Sequence, residues 1–234
     1  MNIEVSGLNV FYGDFHALHD VSLTVPSGSL TGIVGANGHG KSTLLKAICG
    51  LLRPKSGQIT QDGERIDGLS APDLVARGIV HVAEVRHLFP DMTVRENLML
   101  GAYQQRSRSR IKAALERVFD LYPRLAERQT QIARTLSGGE AQMLALGRGM
   151  MSEARFMAID EPSLGLAPVL TETMLDTIQK INAQGTTILL VEQSFSIIAE
   201  RVSPIYEIEE GKIITQGYAK PARDHVSATT EGMS

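Results

Sequence analysis

A nine-residue stretch near the N-terminus, GANGHGKST, concentrates three glycines, a lysine and two hydroxyl side chains. It fulfils the phosphate-loop spacing G-x-x-x-x-G-K-[ST] with Gly35, Gly40, Lys41 and Ser42. Glycines allow successive backbone N–H groups to converge on one anion, and a following helix directs its positive N-terminal end to the same point. Lys41 adds a charge for the outer phosphates, and the Ser42 hydroxyl is a hard oxygen ligand suited to Mg²⁺. The stretch therefore predicts a site for a nucleoside triphosphate.

A pair of carboxylates supplies the second part of such a site. The segment FMAIDEP ends an apolar run, typical of a buried strand, in Asp160 and Glu161. Asp160 is the expected magnesium partner, and Glu161 the group that orients or deprotonates an attacking water. The sequence thus favours hydrolysis of the nucleotide over simple binding.

A third pattern, LSGGE, spans Leu136 to Glu140 and opens a predicted helix. A serine and two glycines at a helix start form another anion-binding position. One nucleotide does not need two such positions from one chain, whereas two chains arranged head to tail do. We therefore expect each chain to cap the nucleotide of its partner through Ser137, Gly138, Gly139 and Glu140; the alternative is an ordinary capped helix start.

Composition limits the remaining possibilities. The chain has 234 residues, 43% of them hydrophobic and 21% charged, which suits one globular domain with a full core. The net charge of −3 gives no basic surface for nucleic acid. The single Cys49 excludes an internal disulfide and fits a reducing compartment. Neither a signal peptide nor a membrane-spanning run is visible, so we expect a soluble, cytoplasmic chain whose membrane role comes through partners.

Periodicity predicts an α/β core interrupted by helices. The first thirty residues suggest short strands, and the Asp62-Gly63 pair indicates a hairpin turn. Residues from about 90 to 152 have helical patterns only, including a capping box at Thr93 and Glu96. The apolar runs RFMAID and TTILLV predict strands buried on both faces, with a helix between them. A terminal hairpin, PIYEIEEGKIITQG, precedes a polar tail.

The three motifs, in this order and spacing, resemble those of ABC-transporter nucleotide-binding subunits, most closely the ATP-binding subunits of branched-chain amino acid importers. The resemblance extends to about Gly217 and includes FYGDFHALHDVSLTV, HLFPDMTVRENL, TLSGGEAQMLALGRGMM, AIDEPSLGLAP and LLVEQS. It implies an α/β fold: a RecA-like P-loop NTPase core, an N-terminal antiparallel β lobe and an inserted helical lobe carrying LSGGE. We expect one nucleotide-binding domain over residues 1–220, with a helical subdomain at about 90–152, and a polar tail over 221–234.

The resemblance also assigns residues by position. The expected catalytic residues are Glu161, Gln193 and Lys41. The expected ATP-binding residues are Tyr12, which would stack on adenine, and the loop residues Gly35, Ala36, Asn37, Gly38, His39, Gly40, Lys41, Ser42 and Thr43. The alternative for Tyr12 is a core tyrosine at the end of a strand. The expected metal-site residues are Ser42, Glu84 and Asp160. ATP and Mg²⁺ are the implied cofactors.

Several of these positions depart from the usual pattern. Gln193 stands where most ABC ATPases have a histidine, so we expect a neutral hydrogen bond to the γ-phosphate or the water; the alternative is a glutamine that caps the next helix. Ala167 replaces a common aspartate. The segment Ala83-Glu84-Val85-Arg86 differs from the Pro-Glu-Gly-Arg frequent in this subfamily, and Glu84 is alternatively a solvated acid. His39 occupies a slot that small residues normally fill, pointing outward or crowding the nucleotide.

The function implied is that of an ATP-hydrolysing subunit of an importer for branched-chain or related hydrophobic amino acids. Alternatives are an importer of urea, amides or other small solutes, and a soluble ABC ATPase without a membrane partner. The implied partners are membrane permease subunits, a second ATP-binding subunit or a second copy of this chain, and, indirectly, a periplasmic or extracellular solute-binding protein. Its implied location is peripheral, on the cytoplasmic face of the plasma membrane. A kinase or GTPase is disfavoured because LSGGE has no role in either and no guanine-reading Asn-Lys-x-Asp is present.

Overall fold

The computed structural model describes residues 1–84 and 87–217, which form two β-sheets and a set of helices. Within these residues the strands are β1 Ile3–Tyr12, β2 Phe15–Val25, β3 Leu30–Val34, β4 Ser56–Gln61, β5 Glu64–Arg65, β6 Ile79–Val82, β7 Phe156–Asp160, β8 Thr187–Glu192, β9 Ile205–Glu209 and β10 Lys212–Gly217. The α-helices are α1 Lys41–Ile48, α2 Ala71–Ala76, α3 Val94–Gly101, α4 Arg108–Leu121, α5 Pro123–Glu127, α6 Gly138–Met150, α7 Pro168–Ala183 and α8 Phe195–Ile198. Val85, Arg86 and the predicted tail at 221–234 lie outside the described residues.

The larger sheet has six strands in the order β10-β9-β3-β8-β7-β6. All neighbouring pairs are parallel except β9 with β10, which form the predicted terminal hairpin. Because β3, β7 and β8 are parallel neighbours, their carboxyl ends meet at one edge of the sheet. That edge is where α/β folds bind ligands.

The smaller sheet is antiparallel, in the order β2-β1-β4-β5, and forms the N-terminal lobe. The Asp62-Gly63 turn between β4 and β5 has positive φ at both residues, 50° and 85°, as its sequence predicts. The expectation of short, separate strands at the N-terminus is wrong, because β1 and β2 run for 10 and 11 residues. The β1–β2 pairing has register shifts, and φ is positive at Gly7 and Asp20. These irregularities allow both strands to continue through their polar residues.

Helices α3 to α6 occupy the predicted helical region. The Thr93 hydroxyl accepts a hydrogen bond from Glu96 N–H and the Glu96 carboxylate accepts one from Thr93 N–H, which confirms the predicted capping box. One isolated antiparallel bridge joins Thr93 to Ile132. No helix among residues 1–84 and 87–217 is both long and apolar enough to cross a bilayer.

The central strands β3, β7 and β8 of the large sheet are buried on both faces, and this fixes the position of the carboxyl edge. In β7, Phe156 and Ala158 enter the apolar cluster shared with α1 and the N-terminal lobe. The alternate residues, Met157 and Ile159, enter the cluster shared with the helical lobe and α7. β8 is divided between the same two clusters. Shifting either strand by one residue would exchange its faces, so packing on both sides holds the strand ends in register.

Candidate active site

Four charged side chains are buried in the described part of the chain, and all four lie at the carboxyl edge of the large sheet. Lys41 begins α1 after β3, Asp160 ends β7, Glu161 follows it, and Glu192 ends β8. Their exposures are 3%, 3%, 6% and 2% in the same order. Buried charges are costly unless they are paired or bind a ligand, so their concentration here marks a candidate site.

Lys41 is held at the centre of this group. Its Nζ atom lies 2.9 Å from the Glu161 carboxylate. It also donates hydrogen bonds to the carbonyl oxygens of Gly35 at 2.8 Å and Ala36 at 3.0 Å. These three partners are all acceptors, so an anionic ligand at the phosphate loop would compete with them for the same ammonium.

Asp160 has the environment of a cation ligand. The Ser42 hydroxyl donates a hydrogen bond to it at 3.1 Å. Burial, supplemented by the negative charges of Glu161 and Glu84, raises the Asp160 pKa to about 6, although the Ser42 hydrogen bond opposes this rise. A hydroxyl and a buried, uncompensated carboxylate are the hard oxygen donors that Mg²⁺ prefers. Ser42 and Asp160 therefore fit the implied Mg²⁺. Glu84 is exposed and, with Ser42, lines the cleft at the phosphate loop.

Glu161 occupies a strained position at the end of the strand. Its φ of 40° is left-handed, which is uncommon for a residue other than glycine. Its N–H still donates to Val191 O at 3.0 Å, so the pairing with β8 continues past the last residue of β7. The strain turns the chain towards Pro162 while the carboxylate stays against Lys41. Strain of this kind concentrates at functional sites.

Glu192 is a site residue that the sequence interpretation missed. Its carboxylate accepts a hydrogen bond from Ser163 N–H at 3.0 Å, in the loop that follows Glu161. Burial raises its pKa, and the hydrogen bonds from Ser163 and Gln193 oppose that rise. The available signal was a glutamate at the end of the apolar run TTILLV, directly before Gln193.

The three glycines of the phosphate loop are needed for different reasons. Gly38 has φ of 83°, and a Cβ built there meets no atom within 4 Å. At Gly35 a Cβ would lie 2.3 Å from Ile208 O, and at Gly40 it would lie 2.8 Å from Leu18 Cδ2. The sequence-based explanation, close convergence of amides on an anion, therefore suffices only for Gly38. Gly35 and Gly40 are also required by packing against the protein.

The loop encloses a cleft of about 270 Å³. Its lining consists of Asn37, Gly38, Gly40, Lys41, Ser42, Thr43, Glu84 and Glu161. Tyr12, at the end of β1, is 44% exposed, and its hydroxyl lies 3.5 Å from Thr43 Oγ1. An exposed ring beside the loop is accessible for stacking, and the alternative of a buried core tyrosine is not supported.

The LSGGE segment starts α6, apart from this cleft. Ser137 and Glu140 form a reciprocal capping box, and Arg128 pairs with Glu140 at 3.0 Å. The hydrogen bond from Ser137 N–H is the main reason that the Glu140 pKa is lowered. Of the described residues lining the phosphate cleft, none comes from this segment.

Gln193 follows β8 and is exposed. The next helix, α8, has Ser194 as its N-cap and no side-chain cap. The alternative interpretation, that Gln193 caps this helix, is therefore wrong. Gln193 does not line the phosphate cleft within the described residues, and its proposed contact with a phosphate or water remains a prediction.

Comparison with known proteins identifies the family. The sequence profile of the ABC transporter family matches residues 18–164, which contain the phosphate loop, LSGGE and the acidic pair. The chain belongs to the ABC transporter family. This ABC protein is accordingly an ATPase with a P-loop NTPase fold, and its domain binds nucleotide.

Two relatives and one solved structure illustrate the similarity. The high-affinity branched-chain amino acid transport ATP-binding protein BraG of Pseudomonas aeruginosa is 40% identical over 207 residues, 88% of each chain. A probable branched-chain amino acid transport ATP-binding protein, LivF of Archaeoglobus fulgidus, is 35% identical, with 93% of this chain and 92% of the relative covered. The ADP conformation of an ABC-transporter cassette has a TM-score of 0.85 at 27% identity and covers 93% of this chain and 91% of its own.

The buried Lys41–Glu161 pair gives a stability prediction. Replacing Lys41 with Met should lower the free energy of unfolding by about 3–5 kcal/mol, because Glu161 would remain buried without its partner. The matched control is Arg77→Met, since Arg77 pairs with Glu64 at the same 2.9 Å but both side chains are at least 40% exposed. That change should cost no more than about 1 kcal/mol. Urea titration of each variant measures its free energy of unfolding. Equal losses in the two variants would show that the buried pair contributes no more to stability than the exposed pair.

Proposed function

We propose that this ABC ATPase energises an importer of branched-chain or related hydrophobic amino acids. The observation that carries the ATPase part is the group of four buried charges around the phosphate loop. The solute class is supported by the two relatives described above, whose names specify branched-chain amino acid transport. An importer of urea, amides or another small solute is the second candidate. Uptake of labelled leucine against labelled urea by the assembled transporter distinguishes them.

The proposed chemistry assigns one task to each group in the cleft. The phosphates of ATP would draw Lys41 away from Glu161, because the phosphates and the Glu161 carboxylate compete for the same ammonium. Ser42 and Asp160 would hold Mg²⁺, with Glu84 beside them; the ion, when bound, supplies charge stabilisation to the phosphates. Glu161, released from Lys41, would accept a proton from the attacking water. Gln193 would hold the γ-phosphate or the water by a neutral hydrogen bond.

We further propose that two chains complete each site. Ser137 N–H is bonded to Glu140, so Gly138 and Gly139 would present their backbone N–H groups at the start of the 13-residue helix α6, a favourable end for phosphate. Since this segment does not line the cleft of its own chain within the described residues, its phosphate would belong to a partner. The partner is a second ATP-binding subunit or a second copy of this chain.

A separate groove suits the permease subunits. It has a volume of about 550 Å³ and lies between β6, α3 and α6, with Phe89 and Tyr103 exposed by 50% and 67% along it. Burial lowers the pKa of His81 to about 4, so its ring is neutral at pH 7. Its Nε2 atom is buried without a hydrogen-bond partner among the described residues. The groove is mostly apolar and also contains His87, Arg148 and Ser152, which suits an inserted amphipathic helix of a membrane subunit at the cytoplasmic face.

The two-chain site can be tested by complementation. Lys41→Ala should bind ATP poorly, and Ser137→Arg should bind ATP but leave the partner's site incomplete. Each purified variant should therefore have little ATPase activity. An equimolar mixture should regain about a quarter of the wild-type rate, because half of the random pairs are mixed and each mixed pair contains one intact site.

Denaturing and refolding the mixture is unnecessary if the chains exchange, which recovery of one untagged variant with the other, tagged variant in ATP would establish. Arg134→Ala, which removes an exposed side chain paired with Asp91, is a control expected to retain activity alone. Full ATPase activity of Ser137→Arg, first order in protein concentration, would contradict a two-chain site.

The groove can be tested separately from hydrolysis. Phe89→Asp should preserve the fold, because Phe89 is fixed by its backbone hydrogen bonds to Asn97 at 2.9 and 3.0 Å. A charge in the apolar groove should reduce co-purification with the importer's permease subunits by at least about tenfold. The matched control is Phe15→Asp, since Phe15 is 67% exposed on the N-terminal lobe. Equal recovery of permease with both variants would exclude this groove as the docking site.

A further inference from the structure

The terminal hairpin of β9 and β10 lies outside residues 18–164 and provides none of the side chains assigned above. Its two-residue turn, Glu210-Gly211, has φ of 44° and 75°. Positive φ at both positions is the geometry that suits the twist of antiparallel strands. The turn packs directly against the phosphate loop.

Gly211 joins two parts of the nucleotide site through its backbone. Its N–H donates to the carbonyl oxygen of His39 at 3.0 Å. Its own carbonyl oxygen accepts from His19 N–H, on β2, at 2.8 Å. The peptide group between His39 and Gly40 is planar and trans. Its carbonyl points towards the hairpin, so its N–H, which belongs to Gly40, points away from the hairpin.

The close fit of the hairpin depends on glycine at Gly211 and at Gly35. A Cβ at Gly211 would lie 2.4 Å from Ala17 O and 2.9 Å from His19 Cδ2. A Cβ at Gly40 would lie 3.5 Å from Gly211 Cα, and one at Gly35 would strike the backbone of Ile208 on β9. The phosphate loop therefore rests on the hairpin at its first glycine and at its last.

We infer that Gly211 is a positioning residue for nucleotide binding. By holding the His39 carbonyl outward, it keeps a negative dipole away from the phosphates and fixes the direction of the following N–H. The loop is thus arranged for an anion before the nucleotide arrives, and this lowers the cost of ordering it on binding. The inference rests on the proposed binding of ATP at this loop.

A pair of glycine substitutions tests the inference. Gly211→Ala introduces both left-handed strain and the clash with Ala17. Gly63→Ala, in the β4–β5 turn, introduces the same kind of strain at φ of 85° but meets no atom within 4 Å. Affinity for Mg²⁺ and a fluorescent ADP should fall by about tenfold or more in Gly211→Ala and remain unchanged in Gly63→Ala. Binding is measured well below the melting temperature of each variant, so that loss of stability alone does not affect it.

Three outcomes separate the possibilities. Wild-type affinity in folded Gly211→Ala overturns the inference, provided that Lys41→Ala loses affinity in the same assay. Retained affinity in Lys41→Ala instead overturns the proposed site. If Gly211→Ala does not fold, Gly211→Asn and Gly63→Asn replace the pair, because asparagine adopts positive φ more readily and leaves the clash as the main difference.

Discussion

One buried ammonium faces three buried carboxylates at the carboxyl edge of the large sheet, and this imbalance is the constraint on which the site depends. Lys41 neutralises Glu161 at 2.9 Å. Glu192 is supported by a backbone N–H from the adjacent loop. Among the described residues, Asp160 accepts a hydrogen bond from the Ser42 hydroxyl alone, and burial raises its pKa. A cation beside Asp160 would offset the excess of negative charge, and phosphates beside Lys41 would compete with Glu161 for its ammonium, so magnesium nucleotide fits both groups.

The rest of the fold keeps these groups in place. β7 and β8 bury alternate residues in opposite apolar clusters, so the ends that carry Asp160 and Glu192 have no freedom to slide. The terminal hairpin contacts the phosphate loop through Gly211 and the backbone of Ile208 and holds it in place. Electrostatic stabilisation requires groups that are already oriented before the reaction. The stable core and the hairpin together provide that orientation.

Local patterns in the sequence were sufficient for most of the architecture. The α/β core, the helical region, the Asp62-Gly63 turn and the capping box at Thr93 follow from periodicity and turn chemistry, and the structure confirms them. Asp160 and Ser42 were both expected at the magnesium site, and a hydrogen bond of 3.1 Å joins them. The lengths of β1 and β2 were not predicted, since bulges that preserve pairing have no clear local signal.

Long-range contacts account for what the sequence left unseen. Gly35 and Gly40 seemed to serve the anion alone, yet each contacts segments far along the chain or in the N-terminal lobe. Glu192 looked like the end of an apolar strand, and its partner Ser163 lies 29 residues away. Neither contact joins residues at the spacing of a helix or a strand, so no periodic pattern in the sequence indicates it. They become visible only when the fold brings the segments together.

The central claim is that Glu161 exchanges Lys41 for the attacking water when ATP binds. Single-turnover hydrolysis and ATP affinity of Glu161→Gln test it most directly, with Glu192→Gln as the control because it is equally buried and its amide oxygen still accepts from Ser163. We predict that Glu161→Gln binds ATP at least as tightly as the wild type and hydrolyses it at least about 10²-fold more slowly. Glu192→Gln should stay within a few-fold of the wild-type rate. Near-normal hydrolysis by Glu161→Gln would contradict the account.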